Sequence, residues 1–273
     1  MATLTNSLRK KMKLFLGPGG LRGCTYIGLL IELRARQVHV SDLIGCSAGA
    51  ICGLMLCLGL TDAQMVEEVS SPTFDALYNS FSLRRLMTRN VWSYVDSSIL
   101  EKHLQYMCSM YAGDSNVTFE TLKQRSGIDF TVVVSPLGAK DRSFHGSLTT
   151  PNIPVVKSVL ASAAVPFLFA PVEIDGISYL DGALTDMNSM LQYPGFVKVR
   201  LTAPPSTLAT NFFTYASAVL NLVTNAANTM STSDTIDIKV PFRCHERVNE
   251  SERLQMIQIG RQAARDWFNK LAL

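Results

Sequence analysis

A chain of 273 residues that is 47% hydrophobic and 17% charged has enough apolar surface to bury a sizeable core, which excludes a disordered chain. Its net charge of +3, without any block of like charges, excludes a dedicated nucleic-acid binder. Six cysteines, at 24, 46, 52, 57, 108 and 244, lack zinc-ligand or CxxC spacing, so buried free thiols in a reducing compartment are expected.

At the N-terminus no apolar segment of a signal peptide precedes the first strand, and the basic cluster from Arg9 to Lys13 reads as a solvated arm or a contact for an anionic membrane surface. Lys13 to Leu16 predicts a short buried strand that ends at Gly17, Pro18, Gly19 and Gly20. From Leu21 to Gln37 the apolar residues Tyr26, Ile27, Leu30 and Leu33 recur at helical spacing, with Arg34 and Arg36 suiting the C-terminal dipole. Val38 to Ile44 returns as a strand, which makes a βαβ unit and hence a parallel sheet covered by helices. The uncharged run 43–60 nearly reaches membrane-span length, but four glycines interrupt it; a strand, a sharp turn and a helix buried on all sides explain it better.

Residues 61–126 read as mostly helical, with "SILE" at 98–101 a capping box for a helix through Met110. Ile128 to Ser135 is a β-branched run expected as a central strand, with Arg142 to Leu148 beside it. "VVKSVLASAAV" predicts a short helix stopped by Pro166, and Ile177 to Leu180 a strand that runs into "DGA". Val197 to Thr202 and Ile236 to Val240 are further strands, and 211–230 an apolar helix for the core, a lipid face or a dimer surface. A last helix, Glu250 to Leu271, places Leu254, Ile257, Ala264, Trp267 and Phe268 toward the sheet. Without repeats or a linker, one α/β domain over 1–273 is the reading.

Three stretches carry chemistry. "GCSAG" at 45–49 fits a strand that turns sharply into a helix with Ser47 at its apex, where Gly45 and Gly49 leave the hydroxyl exposed. Ordinary glycine and serine usage produces this pattern by chance in roughly one chain of this length in ten, so its place between a strand and an apolar helix matters more than the match. A serine that attacks an ester needs donors aimed at the developing oxyanion, and the amides of Gly19 and Gly20 lie at a neighbouring strand end, with Arg22 one turn on. The glycine turn lacks the Lys-Ser/Thr of a P-loop and the register of a dinucleotide fingerprint.

The serine also needs a base. Of the four histidines, at 39, 103, 145 and 245, His245 satisfies the order of an α/β-hydrolase Ser-acid-His triad on paper, but in that fold the nucleophile lies deeper in the chain than position 47, and "RCHERVNE" reads as a polar surface segment. Asp181, at a strand end before a glycine, is the other candidate; its carboxylate is free to point outward at the turn.

With "PGGLRG" at 18–23, "GCSAG" at 45–49 and "DGA" at 181–183 in this order, the sequence resembles the patatin-like phospholipase family. That resemblance implies a three-layer α/β sandwich with a mainly parallel central sheet, and a serine esterase of phospholipase A type that works with a Ser-Asp dyad and without calcium or any other cofactor. Carried over, Ser47 is the nucleophile, Asp181 activates it, and Gly19, Gly20 and Arg22 form the oxyanion hole, supported by Gly23, Gly45, Gly49 and Gly182. Pro18 replaces a usual glycine and "DGA" the usual "DGG". The implied partners are a phospholipid or other acyl lipid and a transient membrane surface, for a cytoplasmic protein peripheral to membranes; no nucleic acid is expected. A lysophospholipid or neutral-lipid hydrolase on the same dyad, and a catalytically silent lipid-binding protein, are the competing readings.

Overall fold

The computed structural model describes residues 11–86, 93–185, 193–202, 234–242 and 248–271. The apolar segment 211–230, Cys244 and His245 lie outside the described residues.

In chain order the strands are β1 (Lys11–Leu16), β2 (His39–Cys46), β3 (Asp129–Pro136), β4 (Ser143–Gly146), β5 (Val172–Ile174), β6 (Ile177–Asp181), β7 (Phe196–Thr202) and β8 (Thr235–Lys239). They form one mixed sheet in the order β5-β6-β3-β2-β1-β7-β8, with β4 also paired to β3. The run from β3 to β8 is parallel, and β4, β5 and β6 join antiparallel. This agrees with the mainly parallel sheet expected from the βαβ pattern.

The described helices are α1 (Cys24–Ala35), α2 (Ala48–Cys57), α3 (Asp62–Ser70), α4 (Pro72–Asn79), α5 (Leu83–Leu86), α6 (Ser97–Ala112), α7 (Phe119–Ser126), α8 (Val155–Ser162) and α9 (Glu250–Leu271). A 3-10 turn, Gly20–Gly23, leads into α1, so the helix begins later than its apolar spacing predicts. The cap of α6 is Asp96, whose carboxylate accepts from the Ser98 amide at 3.1 Å; the predicted box at 98–101 therefore lies inside the first turn. Asp96 wins because it precedes the helix, where its oxygen reaches an amide that has no partner within the helix.

Alternation along the central strands divides the core. Leu14 and Leu16, Leu43, and Val132 and Val134 join the large cluster with the helices. Phe15, Ile44, Cys46 and Val133 face the other way, against Phe144, Ala183, Tyr193 and Phe196. Strands buried on both faces suit a parallel sheet. Helix α1 is buried from Cys24 through Leu33, between the sheet and α9.

Along the seam between α1 and α9 the backbones nearly touch. A Cβ on Gly28 would meet the Ile257 carbonyl, and one on Gly260 the Thr25 carbonyl. Glu32 is buried in this seam with Arg36 and Arg265, each at 3.0 Å, and Arg261 at 3.9 Å. Leu254, expected on the buried face of the last helix, is exposed; Met256 occupies that face with Ile257, Ala264 and Phe268.

Candidate active site

The carboxyl ends of β1, β2 and β6 converge, and each delivers one of the predicted motifs. At the end of β2, Ser47 has φ 55° and ψ −123°, a left-handed backbone that a side chain tolerates only when its surroundings impose it. Three features impose it here. A Cβ on Gly45 would lie 2.6 Å from the Ala50 Cα, and one on Gly49 would collide with the Leu16 carbonyl, so glycine is required on both sides of the turn. The Ser47 carbonyl accepts from Ala50 (2.9 Å) and Ile51 (3.3 Å), which starts α2 at once. The Ser47 amide donates to the Ser162 hydroxyl at 2.8 Å.

Asp181 closes β6, where it is paired with Val134 of β3. One carboxylate oxygen accepts from the Ala183 amide at 2.9 Å, and the Ser47 hydroxyl is near enough to favour the charged carboxylate. The side chain therefore turns inward, not outward as the Asp-Gly turn suggested, and both groups are withdrawn from water: Asp181 is 3% exposed and Ser47 5%. Gly182 permits the turn, because a Cβ there would strike the Val133 carbonyl. Burial pushes the Asp181 carboxyl up to about 6, against the opposing pull of the Ala183 amide and the Ser47 hydroxyl.

The glycine turn after β1 is braced from several sides. The Tyr26 hydroxyl donates to the Gly17 carbonyl at 2.8 Å and Arg22 Nε donates to the Gly19 carbonyl at 3.1 Å. Gly20 and Leu21 line the cavity that contains Ser47, whereas Gly19 and Arg22 hold the turn. Gly23 packs on Ala48, where a Cβ would lie 2.7 Å from the alanine methyl, so the two helix starts sit against each other. Ala48, the first residue of α2, also lines the cavity. Its amide has no acceptor within its own helix, and the same holds for the amides that open the 3-10 turn. Sequence reading passed over Ala48, although the residue after an elbow serine is a recognisable donor position.

The cavity is about 150 Å³ and its other walls are apolar, chiefly Phe74, Leu77, Phe81, Val95 and Phe169. Sequence patterning gave no warning of these walls, which come from α4, the segment before α6, and the residues after α8. A larger groove of about 640 Å³ between β8 and α9 includes neither Ser47 nor Asp181 in its lining.

Two of the three described histidines are engaged elsewhere. His145 is buried against the Ser158 hydroxyl at 2.9 Å, and desolvation lowers its pKa to about 4. His103 lies between Thr73, at 3.1 Å, and Glu68, at 3.2 Å. Five of the six cysteines are described and all five are buried, and Cys24, Cys52, Cys57 and Cys108 are free thiols. Desolvation raises Cys24 and Cys108 to about 12 and pushes Cys52 and Cys57 higher, which keeps these thiols inert.

The sequence profile described as patatin-like phospholipase matches residues 14–192, a stretch that contains all three motifs. The chain belongs to the patatin-like phospholipase family. It is 26% identical over 174 residues to a probable lipid hydrolase of Invertebrate iridescent virus 6, covering 63% of this chain and 59% of that one. It is 27% identical over 161 residues to a triacylglycerol lipase of Schizosaccharomyces pombe, covering 57% and 33%. The match thus spans less than two thirds of these relatives. Among solved structures the fold is similar to VipD from Legionella pneumophila, with a TM-score of 0.64, 14% identity, and 95% of this chain and 67% of that chain covered. It is also similar to the type III effector ExoU, with a TM-score of 0.55, 13% identity, and coverage of 96% and 54%. No described helix is long and apolar enough to cross a membrane.

Proposed function

We propose that this chain is a lipid acyl hydrolase of phospholipase A type that works through Ser47 and Asp181. The observation that supports this most is that Ser47, on a strained turn, lines an apolar cavity beside two helix starts, with the buried Asp181 carboxylate near its hydroxyl. In this reading the Asp181 carboxylate takes the Ser47 proton as Oγ bonds to the ester carbon. The carbonyl oxygen becomes an oxyanion directed at the amides of Gly19, Gly20 and Ala48. Collapse breaks the ester C–O bond, and the proton on Asp181 passes to the departing alkoxide. Water then attacks the acyl-Ser47 ester and gives its proton to Asp181. The Oγ–acyl bond then breaks, Asp181 returns its proton to Ser47 Oγ, and the fatty acid leaves. Every step uses groups of the chain itself, so calcium chelation is expected to leave the rate unchanged.

At about 150 Å³ the cavity falls below the roughly 300–1,000 Å³ of sites that enclose whole small molecules. It suits the reacting end of an acyl chain while the rest of the lipid stays outside. Phe167 marks where that lipid would lie. It is 58% exposed, is held at φ 67°, and directly precedes the wall residues Leu168 and Phe169. An aromatic side chain displayed at the rim suits contact with a membrane surface.

Acylglycerol hydrolysis is the second reading, favoured by the yeast triacylglycerol lipase among the relatives and by the apolar cavity walls. Incubation with phospholipid vesicles and, separately, triacylglycerol emulsions, followed by mass spectrometry of the products, decides between them. Lysophospholipid and free fatty acid from vesicles are expected. Diacylglycerol and fatty acid from the emulsions, without lysophospholipid from the vesicles, would favour the second reading, and no product from either lipid would favour a silent lipid-binding protein.

A further inference from the structure

The two reacting side chains sit on strands that do not neighbour each other: β3 lies between β2, which leads to Ser47, and β6, which ends at Asp181. Cys46 pairs with Val133 and Asp181 with Val134, so consecutive residues of β3 set the two apart. Strand pairing alone does not orient Ser47, because the serine has left the strand and its amide belongs neither to the sheet ladder nor to the α2 ladder. That amide donates to Ser162 Oγ at 2.8 Å, and the same hydroxyl donates onward to the Val133 carbonyl at 2.6 Å. Ser162 has no exposed surface, and a hydroxyl can donate once and still accept, so it satisfies both backbone groups at the same time.

Two residues later the same corner holds the other partner, since the Asp181 amide donates to the Ala164 carbonyl at 2.9 Å. That carbonyl is available because α8 has already ended at Ser162; in a continuing helix it would accept from residue 168. From these contacts we infer that Ser162 is a positioning residue for the hydrolytic reaction. The corner from Ser162 to Ala164 sets the position of Ser47 relative to Asp181. The inference rests on Ser47 as nucleophile and Asp181 as its base. Replacing Ser162 by alanine leaves the Ser47 amide and the Val133 carbonyl unpaired in a dry interior, which relaxes the strained turn toward a geometry that seeks other partners.

The test compares Ser162→Ala with Ser158→Ala. Ser158 is an equally buried serine on α8, bonded to His145 and outside the reaction machinery. Ser162→Ala is expected to lower kcat on a soluble p-nitrophenyl ester about tenfold to a hundredfold, with KM within about twofold. Ser158→Ala is expected to lose thermal stability while keeping kcat per folded molecule. Equal kcat losses in both variants, or a wild-type kcat in Ser162→Ala, would overturn the inference. If Ser162→Ala does not fold, hydrogen exchange of the Ser47 amide in the wild-type protein decides: slow exchange is expected, and exchange as fast as an exposed amide refutes the clamp. A Ser47→Ala variant separates the two levels. If it retains full activity, the nucleophile reading fails and the positioning role with it; if it is dead while Ser162→Ala is fully active, only the clamp is wrong.

Discussion

Asp181 and Glu32 are both carboxylates removed from water, 3% and 5% exposed, yet their acidities move in opposite directions. Burial raises both. At Asp181 it prevails, because the neighbours that oppose it, the Ala183 amide and the Ser47 hydroxyl, are uncharged. At Glu32 hydrogen bonds from Arg36 and Arg265 and their charges outweigh it, and the carboxyl titrates below its ordinary value. Burial alone therefore does not make a reactive carboxylate; what matters is whether a cation is within reach. Glu32 fastens α9 to α1, whereas Asp181 is left basic enough to take a proton.

Substitutions at the two places should separate these roles. The largest effect is on turnover: Ser47→Ala and Asp181→Asn are expected to lower ester hydrolysis about 10²- to 10⁴-fold, while Glu32→Gln leaves kcat per folded molecule unchanged. A comparable loss of kcat in Glu32→Gln would erase the distinction.

Stability against pH sharpens it further. With a folded pKa raised from 3.8 to about 6, the native state holds the Asp181 proton over a range in which the unfolded chain has released it. The contribution of the protonated group is thus complete below 3.8 and is lost as pH rises through about 6. Asp181→Asn should therefore be more stable than the wild type at about pH 8, by on the order of 3 kcal/mol, with the gap closing below about pH 4. Chemical denaturation across this range checks it, and a gap that widens toward acid would contradict the assignment.

Glu32 has the opposite sign. Its lowered pKa gives stability that is present above the ordinary value of 4.5 and is lost as pH falls through the folded value. Glu32→Gln should cost about 1–3 kcal/mol at neutral pH, an amount reduced from that of a fully buried pair because the arginine heads are partly solvated. Unchanged unfolding midpoints in this variant would show that the seam is held by packing alone. Smallest is the rim effect: Phe167→Asp is expected to weaken binding to phospholipid vesicles about tenfold, read by co-sedimentation. Equal sedimentation of the two proteins would move membrane contact elsewhere on the chain.

Much of the frame was legible because its signals are local. The apolar run, glycine turn and helix of residues 13–37 specify β1, the 3-10 turn and α1, and the strand-turn-helix around Ser47 appears where "GCSAG" places it. Strand β5 escaped notice because it has three residues, although Asp175 and Gly176, with φ 52° and 78°, form the two-residue turn that joins it to β6. Other features depend on distant contacts that no window of sequence displays. Ser162 meets Ser47 across 115 positions, and Arg265 reaches Glu32 across 233. The inward turn of Asp181 likewise follows from its pairing with β3 and not from the Asp-Gly step beside it.

The most direct test of the central claim is the rate at which a fluorophosphonate acylates the protein as a function of pH, with the modified residue located by mass spectrometry. The account predicts a single adduct on Ser47, forming faster as pH rises through a midpoint near 6, and a rate in Asp181→Asn that is low and no longer follows that titration. An adduct on another residue, or an unchanged pH profile in Asp181→Asn, would contradict it.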